Sequence, residues 1–385
     1  MKTSLASNSV NLKSVNYSRA DSKARSQNTV ETFIGELNSI NIRARYFIDI
    51  CKADKLQYGP TIHAEMTGVL SRLSELVSLP LGEYLVDQIR HALTDDIRTS
   101  LREITAFGET QAEKFHAIQL IQWLESNFED AKRYVDDFPI TGLSPAQIKM
   151  KKLRRLYSLP LRCGGCFRMF DEYLKRSTIE FEMMSEHCCS PNIAATFGGS
   201  GPIDLSADIM LLKALEHNIT LRISEIDIDA EAINLAKILH GYKVQMGIFE
   251  ENSKEFFHAN LDDLHFIGTN SPSIIENYPT LKTDIIFLAI MVPPTTRKQL
   301  IERLRLHNNE DRIKALIIRG AQGLVRDIFY DDRTDLLGTG NGFLPKVAFI
   351  PNHALENGRM ELLTNPLEKI ITGQNDVLTS SWLVT

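Results

Sequence analysis

Three glycines stand close together in the run Phe197-Gly-Gly-Ser-Gly-Pro202. A short apolar segment, Ile193 to Phe197, leads into them. An apolar stripe at helical spacing follows, carried by Leu205, Ile209, Leu212 and Leu215. Strand, glycine turn and helix in that order bring backbone N–H groups up to a nucleotide. Gly198, Gly199 and Gly201 carry no Cβ to collide with it, and Ser200 and Pro202 complete the turn. The next strand-like run ends Glu225-Ile-Asp-Ile-Asp229. A carboxylate at that place accepts from both hydroxyls of a ribose, so Asp227 is assigned there, whereas Asp229 reads as the N-cap of the helix after it. Asn260, past the third run, can accept from an adenine amino group through its amide oxygen. Each residue has a plain structural alternative: glycine turns join strands to helices in many folds, and Asp227 or Asn260 can simply cap a turn.

An adenosine-bearing ligand is NAD or S-adenosylmethionine. The pattern Gly-Gly-Ser-Gly-Pro departs from Gly-x-Gly-x-x-Gly and leaves less provision for a pyrophosphate at the helix start. S-adenosylmethionine is therefore preferred.

The positioning elements come in two blocks. From Thr32 to about Leu161 the periodicity is helical; Leu85, Ile89, Leu93, Ile97 and Leu101 recur every four residues. Gly108 is expected to break this pattern, with a new helix over 109–127. Ser144-Pro145 reads as an N-cap with proline at the first helical position, opening a basic helix to Leu156. From Asn192 onward seven strand patterns alternate with helices: Ile193–Phe197, Ile219–Ile226, Glu255–Ala259, Thr283–Ile290, Ile313–Arg319, Lys346–Ile350 and Val377–Val384. The expected fold is α/β: a Class I methyltransferase-like Rossmann domain, with a seven-stranded, mostly parallel sheet whose final strand inserts antiparallel, preceded by an all-helical domain. The division is a disordered tail over 1–30, a helical domain over 31–165 and the nucleotide-binding domain over 166–385.

Composition narrows the classes. The 385 residues are 43% apolar and carry a formal net charge of −6, against the basic face that nucleic acid requires. The longest strong apolar run, Ile285 to Val292, is far short of a membrane span. Five cysteines in a chain this long do not read as a disulfide framework, which suggests a reducing, cytoplasmic setting. Cys163-Gly-Gly-Cys166 with His187-Cys188-Cys189 lacks a second well-spaced pair, and no metal is expected.

Several segments together resemble the nicotianamine synthase family. They are Phe197-Gly-Gly-Ser-Gly-Pro-Ile-Asp-Leu-Ser, Asp227-Ile-Asp, Asp284-Ile-Ile-Phe-Leu-Ala, Arg319-Gly-Ala-Gln-Gly-Leu with Phe329-Tyr330, and Glu172-Tyr-Leu-Lys-Arg-Ser-Thr-Ile-Glu-Phe-Glu-Met-Met184. Phe107-Gly-Glu-Thr-Gln-Ala-Glu-Lys-Phe-His116 is similar to the family's acidic helix, more loosely. The resemblance runs from about Thr61 to the C-terminus. It implies an aminocarboxypropyl transferase: an amine attacks the γ-methylene of S-adenosylmethionine, methylthioadenosine leaves, and a small amino-acid-derived metallophore forms. It also implies roles. Glu113 and Glu109, one turn apart on a shared face, and Tyr173 become catalytic candidates. Glu180, Arg319 and His116 become substrate-binding candidates. Leu261 and Ala289 join the glycine turn, Asp227 and Asn260 around the donor. Asn260 stands where the family often has Asp, Gln322 where His is common and Gly320 where Ser is common. Ile290-Met291-Val292-Pro293 also departs from the family pattern, so the acceptor, a small-molecule amine or amino acid, is left open. A homodimer is possible. A small-molecule methyltransferase, an azetidine-2-carboxylate synthase and a non-catalytic nucleotide-binding module remain as alternatives.

Overall fold

The computed structural model describes residues 19–53, 58–77, 81, 83–158, 170–188, 190–271, 279–289, 292–305, 313–321, 348–351 and 379–384. The first helix, α1 (Arg19–Lys52), is 34 residues long. Residues 19–30, expected in the tail, are its first turns. Phe33, Leu37, Ile40, Ala44 and Ile48 recur at three- and four-residue steps, and all are buried. They pack with α2 (Pro60–Val77), α3 (Glu83–Ala92) and the start of α4 (Asp95–Asp136) in a core of their own.

The 42-residue α4 is capped by Thr94, whose side chain accepts from Ile97 N–H, and it bends at Asn127. The break expected at Gly108 does not occur. A Cβ there would lie 2.8 Å from Leu70 Cδ1, so this glycine lets α2 and α4 approach and the helix runs straight through it. Leu101 and Ile104 of α4 belong to the helical core, whereas Ala117, Leu120 and Leu124 belong to the core of the sheet. The packing boundary therefore falls inside α4, and not at residue 165. A capping box between Ser144 and Gln147, with Pro145 at the first position, opens α5 (Pro145–Tyr157). The helix α6 (Phe170–His187) then leads into the sheet.

The seven strands of the main sheet are β1 (Asn192–Gly198), β2 (Thr220–Asp227), β3 (Lys254–His258), β6 (Ile285–Leu288), β7 (Ala315–Ala321), β8 (Ala348–Pro351) and β9 (Thr379–Val384). Their order is β3-β2-β1-β6-β7-β9-β8. The first five strands of this order pair parallel. β9 inserts antiparallel between β7 and β8, as the sequence pattern predicts. Two three-residue strands, β4 (His265–Ile267) and β5 (Thr280–Lys282), form a separate parallel pair that the pattern does not announce. The helices α7 (Leu205–Glu216), α8 (Ala230–Gln245) and α9 (Pro294–Arg305) complete the layers. The strand order turns back beside β1, so the crevice beyond the C-terminal ends of β1, β2 and β6 is where such a sheet takes its ligand. No helix among the described residues is long and apolar enough to cross a membrane.

Candidate active site

That crevice is a cavity of about 580 Å³. The glycine turn forms its floor. Gly199 and Gly201 have φ of +73° and +67°, a region open to glycine at little cost. The turn is pinned to β2: the N–H groups of Gly199 and Ser200 donate to the Ile226 carbonyl at 2.8 and 3.3 Å. Asp227 fixes it further. One carboxylate oxygen accepts from Gly201 N–H and the other from Asp229 N–H, each at 2.9 Å. Asp229 in turn caps α8 through Glu231 and Ala232 N–H, as its position predicts. Asn260 lines the cavity, yet its amide oxygen already accepts from Asp262 N–H at 3.1 Å and so also caps a turn. Leu261 and Ala289 line the cavity on the far side of the turn. The hydroxyls of Ser200 and Ser206 are buried, line the cavity and have no hydrogen-bond partner among the described residues.

The roof comes from α4. Glu109 and Glu113 both face the cavity, with Ala106 and Thr110 on the same helical face. Glu113 reaches the floor itself: a Cβ on residue 201 would lie 2.6 Å from Glu113 Oε2. The missing side chain at Gly201 is what admits the carboxyl. Burial, then Glu109, then Asp227, push the pKa of Glu113 up to about 8. The carboxyl is walled in, although the cavity leaves part of the residue open to solvent. The next residue sets the rotation of α4. Lys114 Nζ sits 2.5 Å from Asp229 Oδ2 and 2.8 Å from Glu231 Oε2, at the first turn of α8. Burial alone would lower the pKa of Lys114, but the two carboxylates more than reverse it.

The third wall is α6 and the end of β7. Tyr173, Arg176 and Arg319 all line the cavity. The structure brings Glu180 to Arg319 and not to the cavity. Glu180 is fully buried and holds the guanidinium at two points, 2.9 Å to Nε and 2.6 Å to Nη2. A direct substrate contact by Glu180 is thereby corrected to a partner of Arg319, because its two oxygens are turned onto that fork. Burial would lower the pKa of Arg319, and the Glu180 carboxylate raises it. His116 is likewise not a cavity residue. It is buried edge-to-face against His63 of α2, with ring centroids 4.7 Å apart, and burial followed by His63 lowers its pKa to about 3. At three residues past Glu113 it is rotated by about 60° around the helix axis. That rotation turns its ring toward α2 and away from the cavity.

Ile228, Arg176 and Asp204 are among the cavity residues that the sequence does not announce. Ile228, directly after Asp227, is 70% exposed, and an exposed apolar side chain next to an acid at the end of the second strand is the signal for it. Arg176, one turn after Tyr173, shares its face of α6. Asp204, six residues after Gly198, lines the cavity while pairing with Lys254 behind it. Gln322 and the Phe329-Tyr330 segment lie outside the described residues, as do Cys163, Cys166 and Cys189.

A seven-stranded sheet of this order, with a glycine turn, a carboxylate after β2 and a helical roof, defines a Class I methyltransferase-fold protein whose pocket is completed by an N-terminal helical region. The family model described as nicotianamine synthase protein matches residues 150–344, half of the chain. The chain belongs to the nicotianamine synthase family. Nicotianamine synthase 2 of Arabidopsis thaliana is 29% identical over 183 residues, covering 46% of this chain and 50% of that protein. The chain thus spans about half the length of the curated relative it matches. The crystal structure of MtNAS in complex with MTA and tNA aligns with a TM-score of 0.50 at 13% identity, over 90% of this chain and 96% of that one. That of a mutant of MtNAS in complex with S-adenosylmethionine aligns at 0.48 and 12% identity, over 91% and 96%. At these identities the likeness is one of fold.

Proposed function

We propose that the protein is an S-adenosylmethionine-dependent 3-amino-3-carboxypropyl transferase that builds a small amino-acid-derived metallophore and releases methylthioadenosine. The observation that carries this reading is the seating of Glu113, a residue of the helical region, on the glycine turn of the nucleotide fold. A carboxyl at that spot suits an amine nucleophile, because an amino-acid amine is mostly protonated at neutral pH and must give up its proton before it can attack. A carboxyl with a pKa raised to about 8 is matched to that task.

In this reading Asp227 meets the ribose, Asn260 and Leu261 the base, and the glycine turn with Ala289 the rest of the donor. In its ionised form, which grows as pH rises toward 8 and which the donor's sulfonium favours, Glu113 receives the proton of the acceptor ammonium, with Glu109 beside it. The amine nitrogen bonds to the γ-carbon, and the electron pair of the C–S bond goes to sulfur. The sulfonium becomes the neutral thioether of methylthioadenosine, and the positive charge passes to the new secondary ammonium. The sulfonium is a good leaving group, so the enzyme's contribution is to choose which carbon stands in line. Tyr173 and Arg319 face that reacting end. Family membership supports the reaction class.

The test is product analysis after incubation with S-adenosylmethionine and a panel of amino acids. Methylthioadenosine and an aminobutyryl adduct are expected by mass spectrometry. Glu113→Gln should slow their release by about a hundredfold, the lower end for loss of a proton-transfer group. S-adenosylhomocysteine as the sole adenosyl product would overturn the reading in favour of methyl transfer.

A further inference from the structure

The hydroxyls of Ser200 and Ser206 are buried at the cavity wall with no hydrogen-bond partner among the described residues. A hydroxyl taken out of water and left unbonded is costly, so a buried one asks for an explanation. Ser206 is the more enclosed of the two, at 5% exposed. It is the second residue of α7, a helix of 12 residues. The first N–H groups of a helix have no partner inside it and carry the positive end of its dipole. The N-cap, Asp204, does not satisfy them: its side chain makes no cap hydrogen bond and pairs with Lys254 instead. An uncapped helix start and an unbonded hydroxyl thus meet at one place on the cavity wall, and both can donate to an anion.

The sheet order says which end of a ligand arrives there. β3, β2 and β1 are neighbours. In the transferase reading the base lies beyond β3 and the ribose beyond β2. The next step along the crevice is the end of β1, which runs through the glycine turn into α7. The methionine tail of the donor extends that way. Six acids line the cavity, namely Glu109, Glu113, Asp204, Asp227, Asp229 and Asp262. Asp204 is paired with Lys254, Asp229 with Lys114 and Asp262 with Arg303. A carboxylate among these acids is tolerated where donors receive it. We propose that Ser206 and the start of α7 form the subsite for the α-carboxylate of the donor's methionine tail. The assignment rests on the transferase reading above. The Ser206 hydroxyl donates to the carboxylate, and the first turn of α7 adds its N–H groups and its dipole.

Calorimetric titrations of the full-length wild type and Ser206→Ala use S-adenosylmethionine and methylthioadenosine, the latter lacking the amino-acid tail. Ser206→Ala should weaken S-adenosylmethionine by about tenfold and leave methylthioadenosine unchanged, the factor expected for one lost charged hydrogen bond. Thermal unfolding without ligand should show no loss in the variant, because the hydroxyl has no partner to give up and alanine is the better helix former. A structural role for the hydroxyl would give the opposite results, a lower midpoint and a parallel loss of both adenosyl compounds, and would overturn the proposal. Thr196 on β1 is the control, since its hydroxyl is also buried and unbonded but is not at the cavity. Thr196→Val should bind S-adenosylmethionine as the wild type does; an equal loss there would overturn the assignment to Ser206. So would an unchanged S-adenosylmethionine affinity in Ser206→Ala, or a raised KM for an amino-acid acceptor with donor affinity intact. Failure of the wild type to bind S-adenosylmethionine at all would instead remove the transferase reading, and this subsite with it.

Discussion

Two groups of carboxylates lie on either side of the glycine turn, and one member of each, Asp208 below and Glu113 above, is shifted in the opposite direction to the other. Beneath it, Asp204, Asp208 and Glu225 are buried with Lys243 and Lys254. Lys254 Nζ is 2.7 Å from both Asp208 Oδ1 and Glu225 Oε1 and also pairs with Asp204. Lys243 takes the second oxygen of Asp208 at 2.5 Å. The Asp208 carboxyl is accordingly held below its ordinary range, its two lysines outweighing its burial. Above the turn, Glu113 has Glu109 and Asp227 for neighbours and its pKa goes the other way. Both carboxyls are buried, so it is the two lysines beside Asp208 that set the difference in sign. The lower group ties α7, β2, α8 and β3 together. The upper group gathers negative charge, which a sulfonium or ammonium can balance.

The comparison breaks first at Lys254. Lys254→Met leaves Asp204 and Glu225 without this cation and Asp208 with one of its two. The expected cost is about 3–5 kcal/mol, the range for removing one partner of a buried ion pair. Denaturant unfolding measures it. A loss below about 1 kcal/mol would mean that the lower group is solvated and not a structural clamp.

Glu113→Gln should do the reverse, and pH reveals it. With a folded pKa of about 8 and an ordinary value of 4.5, the folded state holds a proton that the unfolded chain has released over that interval. The folded state therefore binds more protons there, and wild-type stability declines as pH rises from about 4.5 to about 8. Gln cannot titrate. Relative to the wild type, the variant should gain on the order of 2 kcal/mol between the lower and the upper end of that window, the partly open cavity reducing the full effect. Thermal melts of both proteins across the window decide the matter. Parallel curves would place the Glu113 proton outside this account.

The two groups are unequally legible in the sequence. The turn, Asp227 and Asp229 announce themselves because they are local: three glycines after an apolar run, and two acids after the next. The parallel sheet follows from alternation of strand and helix patterns, and the antiparallel insertion of β9 from the lack of a clear long helical pattern in the sequence between the last two strands. Glu109 and Glu113 enter through family resemblance, as spacing alone says only that they share a face. What stays hidden is pairing across long separations. Lys114 and Glu231 are 117 residues apart, Glu180 and Arg319 139, and Lys254 and Asp204 50. A lysine on a helix reads as solvated and a glutamate as a possible ligand until the partner is in view. For that reason Glu180 reads as a ligand of the substrate from sequence, while the position of Arg176 on the cavity wall does not show. Gly108 misleads for a related cause: glycine breaks a helix on intrinsic grounds, and the nearby Leu70 that requires it is invisible locally.

Gly201 is where the two groups meet, and it gives the smallest and most pointed test. Its φ of +67° costs an alanine about 1–2 kcal/mol. The added methyl would also meet Glu113 Oε2 at 2.6 Å, and the end of that flexible side chain is what must move. The fold underneath is held by Asp227 and by Lys254, neither of which is among the atoms the methyl would meet. Gly201→Ala should therefore lose no more than about 1–2 kcal/mol in unfolding experiments, while the release of methylthioadenosine falls by more than that stability change accounts for. Pairing it with Glu113→Gln sharpens the reading. If the methyl acts by displacing the acid, the two changes together should slow turnover little further than Glu113→Gln alone. Fully multiplicative losses would separate Gly201 from Glu113 and return the turn to a purely nucleotide-holding role.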